Sequence, residues 1–80
     1  MIHAEITFWS NTIRDINIIL PSPPSIGDSI KFPIGTVKNI NGEELEDNCF
    51  RIYNIDWVLQ KDSIITKYKF DRLLIYLECP

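Results

Sequence analysis

Alanine is almost absent from this chain of 80 residues: Ala4 is the only one, whereas fifteen residues are isoleucine. Alanine is the best helix former, while a side chain branched at Cβ is stiff and packs well on a pleated strand. The imbalance therefore favours β structure. A chain this short forms one domain, spanning residues 1–80, and buries only about 60% of the surface that its unfolded form exposes.

Other absences exclude whole classes of protein. No apolar run approaches the roughly 20 residues of a membrane span, and Glu5 interrupts the region where a secretion signal would stay uncharged. A net charge of −3 and a pI near 4.9 argue against nonspecific nucleic-acid binding. The only cysteines are Cys49 and Cys79, so we expect a cytoplasmic protein with two buried thiols. The sequence leaves open whether these two thiols pair.

Residues suited to catalysis or metal binding are scarce. His3 is the only histidine, and we expect it on the solvent face of the first strand. Ser10, Asp28 and Cys49 are candidate partners for it, but none has the sequence context of a catalytic triad. A structural zinc site needs four closely spaced Cys or His ligands, and this chain has three, far apart. We therefore predict no enzymatic activity, no metal and no cofactor.

Apolar residues alternate with polar ones at the start of the chain, as they do in strands with one buried face. Residues 2–8 and 14–20 both show this period of two, and a polar break at residues 10–12 separates them. The pattern predicts an antiparallel hairpin, followed by a stiff proline-rich crossover at residues 21–25.

A third strand is predicted around Ile30, with Phe32 and Ile34 on the same face. Pro33 lacks a backbone donor, so this strand should lie at a sheet edge or end there. Residues 35–48 are harder to interpret, because a strong turn signal is followed by residues of poor β propensity. We expect a protruding hairpin or a mobile loop.

Residues 49–60 form the longest predicted strand. Its apolar face changes near Asn54, which is typical of a strand that bends at a β-bulge. After a turn at residues 61–63, residues 64–77 fit either further strands or a helix, and their Ile, Thr and Tyr content favours strands. Together these elements predict an all-β fold, a small antiparallel barrel of five or six strands that is SH3-like or OB-like.

Two segments carry a resemblance to a known family. Residues 24–30 read Pro-Ser-Ile-Gly-Asp-Ser-Ile, and residues 50–57 read Phe-Arg-Ile-Tyr-Asn-Ile-Asp-Trp. This layout resembles small bacterial and phage SH3-like β-barrel proteins, in which a Pro-x-x-Gly-Asp turn precedes a strand and a long alternating strand follows. The resemblance implies a barrel in a bacterial or phage protein, and it transfers no catalytic residue.

Two features predict a binding surface. Four carboxylates crowd into residues 43–47, and we call them the acidic loop: Glu43, Glu44, Glu46 and Asp47. They could imitate phosphates and occupy a basic groove on a nucleic-acid-handling protein, although a solvated charged face is the commoner role of such a run. Trp9 follows Phe8 in an alternating strand, so one of the two must face outward, and an exposed Trp is a common interface anchor. Trp57 lies between Ile55 and Leu59 and is expected in the core.

The sequence thus predicts a non-enzymatic protein-binding module, an accessory or inhibitory factor of a phage or mobile element. Nucleic-acid binding is the alternative, through Lys61, Lys67, Lys69 and Arg72 with neighbouring aromatic residues. A small structural or self-assembling protein is a third interpretation, and the oligomeric state stays open.

Overall fold

The computed structural model describes residues 1–61 and 67–79, which form a single mixed sheet. Its five strands run in the order β2-β1-β5-β4-β3, and the sheet curls into a half-barrel. The strands are β1 (Ile2–Phe8), β2 (Ile16–Leu20), β3 (Ser29–Lys31), β4 (Cys49–Lys61) and β5 (Tyr68–Glu78). The all-β class predicted from composition is confirmed. Within the described residues, no helix is long and apolar enough to cross a membrane.

The strand pairing agrees with the predicted hairpin and departs from a purely antiparallel barrel. β1 and β2 pair antiparallel, with Ile2 opposite Leu20. β1 and β5, however, pair parallel, with Ala4 opposite Leu73. A parallel pair cannot be joined by a tight turn. Here almost the whole chain forms the connection, so no local sequence signal announces this pairing.

Two irregularities bend the long β4–β5 pair. The ladder shifts register between Ile52 and Asn54, which confirms the predicted change of face. A second shift occurs where Val58 pairs with Arg72 and Leu59 with Phe70, which leaves Asp71 as the extra residue. β5 continues through this bulge, so residues 68–77 are strand and the helical alternative is wrong for them. The predicted strand start at residues 64–66 lies outside the described residues.

The third strand is an edge strand and ends before Pro33, as predicted. Phe32 is buried, but Ile34 is 89% exposed, so the expectation that Ile34 shares the buried face is wrong. The reason is a turn: the amide of Thr36 donates to the carbonyl of Pro33, and Gly35 has a φ of 88°. The alternation of a strand cannot continue through that turn.

The apolar core lies on the concave side of the half-barrel, toward the end where β1 and β5 finish. Phe50 is fully buried, and its ring lies 5.1 Å from that of Phe8 and 6.1 Å from that of Phe32. Branched aliphatic residues of β1, β4 and β5 complete the packing, as the isoleucine content predicted. The buried apolar residues are Ala4, Ile6, Phe8, Ile13, Phe32, Val37, Phe50, Ile52, Leu73, Ile75 and Leu77.

Residues 35–48 pack against the β1–β2 connection. Ile13 and Asn39 form an isolated antiparallel bridge, the amide of Arg14 donates to the carbonyl of Lys38 at 2.9 Å, and Val37 is buried. Gly42 completes a turn at a φ of 84°. These contacts fix the base of the acidic loop on the body of the protein.

Candidate interaction surfaces

The far end of β4 and the start of β5 extend beyond the rest of the sheet. β1 begins to pair with β5 only at Leu73, so among the described strands residues 58–61 and 68–72 have no neighbour except each other. We call them the ribbon. The molecule is accordingly long, at 47 × 27 × 20 Å, with a radius of gyration of 14.2 Å, against about 12 Å for a globular chain of this length.

The two faces of the ribbon differ in polarity. Successive side chains of a strand point to opposite faces. Leu73 is buried and pairs with Trp57, so the Leu59–Phe70 and Lys61–Tyr68 pairs that follow lie on the same side as the core. The opposite side carries the pairs Val58–Arg72 and Gln60–Lys69. The ribbon is therefore amphipathic, and its apolar side continues the core face of the sheet.

Four large side chains on that side are open to solvent, and we call them the hairpin face. They are Trp57 (58% exposed), Leu59 (58%), Tyr68 (69%) and Phe70 (38%). The rings of Trp57 and Phe70 meet edge to face at 5.5 Å and 66°. At roughly 200 Å² for a large side chain, the exposed part comes to about 400 Å², which is in the range of the largest apolar patch on a typical monomer.

The hairpin face corrects the prediction for Trp57, which was expected in the core. The alternation of Ile55, Trp57 and Leu59 indicates which way these side chains point, and the structure agrees with that direction. It does not indicate whether anything covers them. Beyond Leu73, β4 and β5 extend past the other described strands of the half-barrel, and therefore Ile55 is half-buried whereas Trp57 and Leu59 are exposed.

The acidic loop and Trp9 both lie at the opposite end of the molecule from the ribbon. The loop directly precedes β4, and all four of its carboxylate residues are exposed. Trp9 follows β1 at the same end, is 47% exposed, and places its ring 5.9 Å from that of Phe50. Glu43 accepts a hydrogen bond from Nδ2 of Asn39 at 3.3 Å. Among the described residues, none of the four carboxylates forms an ion pair.

His3 is exposed, as predicted, and lines a shallow concavity of about 260 Å³ together with Asp71 and Arg72. Cys49 is far from His3. Ala4, next to His3, is level with Leu73 of β5 and so with Trp57 of β4. Trp57 lies eight positions along β4 from Cys49, or about 26 Å. Both Cys49 and Cys79 are unpaired and exposed, so the prediction of buried thiols is wrong. No group of three metal-ligating side chains occurs in the described part of the chain.

A charged cluster on the convex side of the sheet has no signal in the sequence. Nε of Arg72 donates to Oε2 of Glu5 at 3.2 Å, and its Nη1 donates to Asp71. Asp15 is exposed, but desolvation by neighbouring groups raises the pKa of its carboxyl group, as do the negative charge of Glu5 and a hydrogen bond with it. Arg72 and Glu5 are 67 positions apart and meet only because β1 and β5 pair.

Comparison with known proteins identifies no relative: no family model matches the chain, and no curated protein or solved structure shows significant similarity to it.

Proposed function

We propose that this chain is a non-enzymatic protein-binding module of the cytoplasm. The exposed hairpin face is the observation that carries the proposal. A two-stranded ribbon is at best marginally stable alone in water, and Trp and Tyr are the residues that most often anchor interfaces. The unpaired, exposed thiols of Cys49 and Cys79 suit a reducing compartment.

The acidic loop and Trp9 form a second candidate surface in this proposal. The carboxylates are exposed and have no ion-pair partner among the described residues, so their charge is available to a basic protein. Charge at the rim of an interface chiefly raises the association rate and selects the partner. A phosphate-mimicking inhibitor of a nucleic-acid-handling protein would use this end of the molecule.

Affinity capture with matched variants tests the proposal and separates the two surfaces. The immobilised chain is exposed to bacterial lysate as wild type, as Trp57→Ser with Leu59→Ser, and as the loop neutralised by Glu43→Gln, Glu44→Gln, Glu46→Gln and Asp47→Asn. Ile19→Ser is the control, because this side chain is 56% exposed and lies on the edge strand β2, outside both surfaces. We expect a partner that the control retains and the Trp57 and Leu59 variant loses. A partner that only the neutralised loop loses would show that the acidic loop, and not the hairpin face, is the binding surface.

Nucleic-acid binding is the second candidate, and one observation favours it. Lys61 lies directly opposite Tyr68 on the side of the ribbon that carries Trp57, which places a cation beside exposed rings on which bases could stack. Titration of Trp fluorescence with single-stranded oligonucleotides at two salt concentrations tests this function. Binding that weakens steeply as salt rises would support it, whereas unchanged fluorescence would remove it.

A further inference from the structure

We propose that the hairpin face binds the same face of a second copy of this chain, in antiparallel orientation about a two-fold axis. The inference rests on the proposed function and names the partner. The ribbon is a sheet layer with one uncovered apolar face. A sheet must bury its apolar face against another element, and no described segment of this chain covers the ribbon.

The distribution of polar and apolar residues indicates that one face of the ribbon is built to be covered. Gln60 and Lys69 pair on one side, whereas Leu59 and Phe70 pair on the other. Trp57 and Tyr68 are 58% and 69% exposed, and large apolar side chains gain free energy only when another surface covers them. Two ribbons packed through their apolar sides would form a two-layer sandwich.

The hairpin face supplies about half of the area that a standard interface buries, and neighbouring side chains add to it. The hairpin face contributes about 400 Å² from each copy, roughly half of the 800 Å² per partner in a standard interface. The half-buried Ile2 and Ile55 lie on the same side of the sheet and extend the apolar area toward the body of the protein. The aliphatic stem of Lys61 extends it toward the tip.

The order of the residue pairs favours a copy of the chain in antiparallel orientation. Along the ribbon the pairs are Trp57–Leu73, Leu59–Phe70 and Lys61–Tyr68. A two-fold axis through the middle pair sets the Lys61–Tyr68 pair of one copy against the Trp57–Leu73 pair of the other. The ammonium group of Lys61 then meets the indole of Trp57, a favourable cation–π contact that the symmetry produces twice.

The charge of the ribbon is consistent with this orientation and argues against a nucleic-acid partner on this face. Antiparallel packing places Lys61 and Lys67 of the two copies at opposite ends of the interface, whereas parallel packing would bring like charges together. Lys69 lies on the outer side of the ladder, so Lys61 is the only cation placed on the hairpin face by the described strands. A nucleic-acid groove would need more.

Sedimentation of the full chain over a wide concentration range tests the proposal. We expect a reversible monomer–dimer equilibrium for wild type, with the dissociation constant raised at least ~30-fold by Trp57→Ala. Lys61→Glu should raise it ~5- to 30-fold, since two cation–π contacts are lost. Lys69→Glu is the matched control: it makes the same change of charge one ladder position away, on the outer face, and should change the constant less than ~2-fold.

Cysteine cross-linking tests separately which face of the ribbon lies in the interface. In a chain with Cys49→Ser and Cys79→Ser, a Leu59→Cys variant places a thiol beside the proposed two-fold axis, so it should oxidise to a covalent dimer. Gln60→Cys, on the outer side of the ribbon, should not. Equal cross-linking of both variants would overturn packing through the hairpin face.

Two results distinguish failure of this inference from failure of the proposed function. A wild type that stays monomeric at high concentration, yet captures a protein that the Trp57 and Leu59 variant loses, overturns self-association and leaves the binding function standing. A monomer that captures no protein through either surface overturns both. A dimer that Trp57→Ala does not weaken overturns the assignment of the hairpin face.

Discussion

Replacement of Phe50 by alanine is the most direct test of where the core of this protein lies. Phe50 is fully buried, and it contacts three other rings, those of Phe8, Trp9 and Phe32. Removing it leaves a cavity at the point where β4 begins and where the loop end of the molecule is fixed to the sheet. A truncation of Phe50 should therefore lower the free energy of unfolding more than a truncation of similar size in the ribbon.

The expected magnitude follows from burial. A buried Phe removes about 200 Å² from water, which is worth up to ~5 kcal/mol at 25 cal/mol per Å². Measured Phe→Ala costs in cores run about 3–5 kcal/mol, and we expect ~4 kcal/mol for Phe50→Ala. A chain of this length has roughly 4–12 kcal/mol of stability in total. The variant should therefore be close to unfolding at room temperature.

Urea unfolding followed by Trp fluorescence measures this loss, and two further variants make it interpretable. Phe50→Leu retains most of the apolar volume and should cost less than half as much as Phe50→Ala. Ile34→Ser changes an exposed side chain and should lie within ~0.5 kcal/mol of wild type. A Phe50→Ala variant no less stable than Ile34→Ser would refute the placement of Phe50 at the centre of the core.

Three further predictions concern other parts of the molecule. The pKa of Asp15 is raised above its usual 3.8, so the folded state binds this proton more tightly than the unfolded state, and the free energy of unfolding should fall as pH rises above 3.8. Asp15→Asn should remove this contribution to the fall. If urea unfolding gives wild type and Asp15→Asn the same dependence on pH, the prediction is wrong. Gly42→Ala should cost about 1–2 kcal/mol in the same assay because its φ is 84°, and a neutral result would refute the turn. Cys49 and Cys79 are exposed, so a thiol reagent should modify both in the native protein; a thiol that reacts only on unfolding would show that one is buried.

Much of the local structure was readable from the sequence because it depends on near neighbours. Alternation defines strands, and it correctly placed the first hairpin and the long strand that became β4. Pro33 lacks a backbone donor and marks the end of an edge strand. The bulge near Asn54 was visible because the apolar positions change face there.

Three of the errors concern which side chains are covered. Trp57, Cys49 and Cys79 were expected to be buried because they lie in apolar, strand-like segments, and all three are exposed. Alternation gives the direction of a side chain. Burial depends on a neighbouring element, and that element comes from distant parts of the chain.

The candidate site illustrates the same division. Trp9 and the acidic loop could be proposed from sequence because exposure there follows from alternation and from charge. The hairpin face could not, because it exists only where β4 and β5 extend past β1, and the pairing of Ala4 with Leu73 sets that point. The cluster of Glu5, Asp15 and Arg72 depends on the same pairing.

The sequence by itself determined that this protein is all-β, because many β-branched residues and a single alanine leave little to stabilise a helix. It also determined the strands, the main breaks between them and the acidic character of one loop. Only the tertiary structure decided that β1 and β5 pair in parallel, that the sheet stays a half-barrel, and that an amphipathic ribbon projects from it. Strand formation is decided by local backbone and side-chain preferences, whereas pairing and exposure are decided by contacts between residues far apart in the chain.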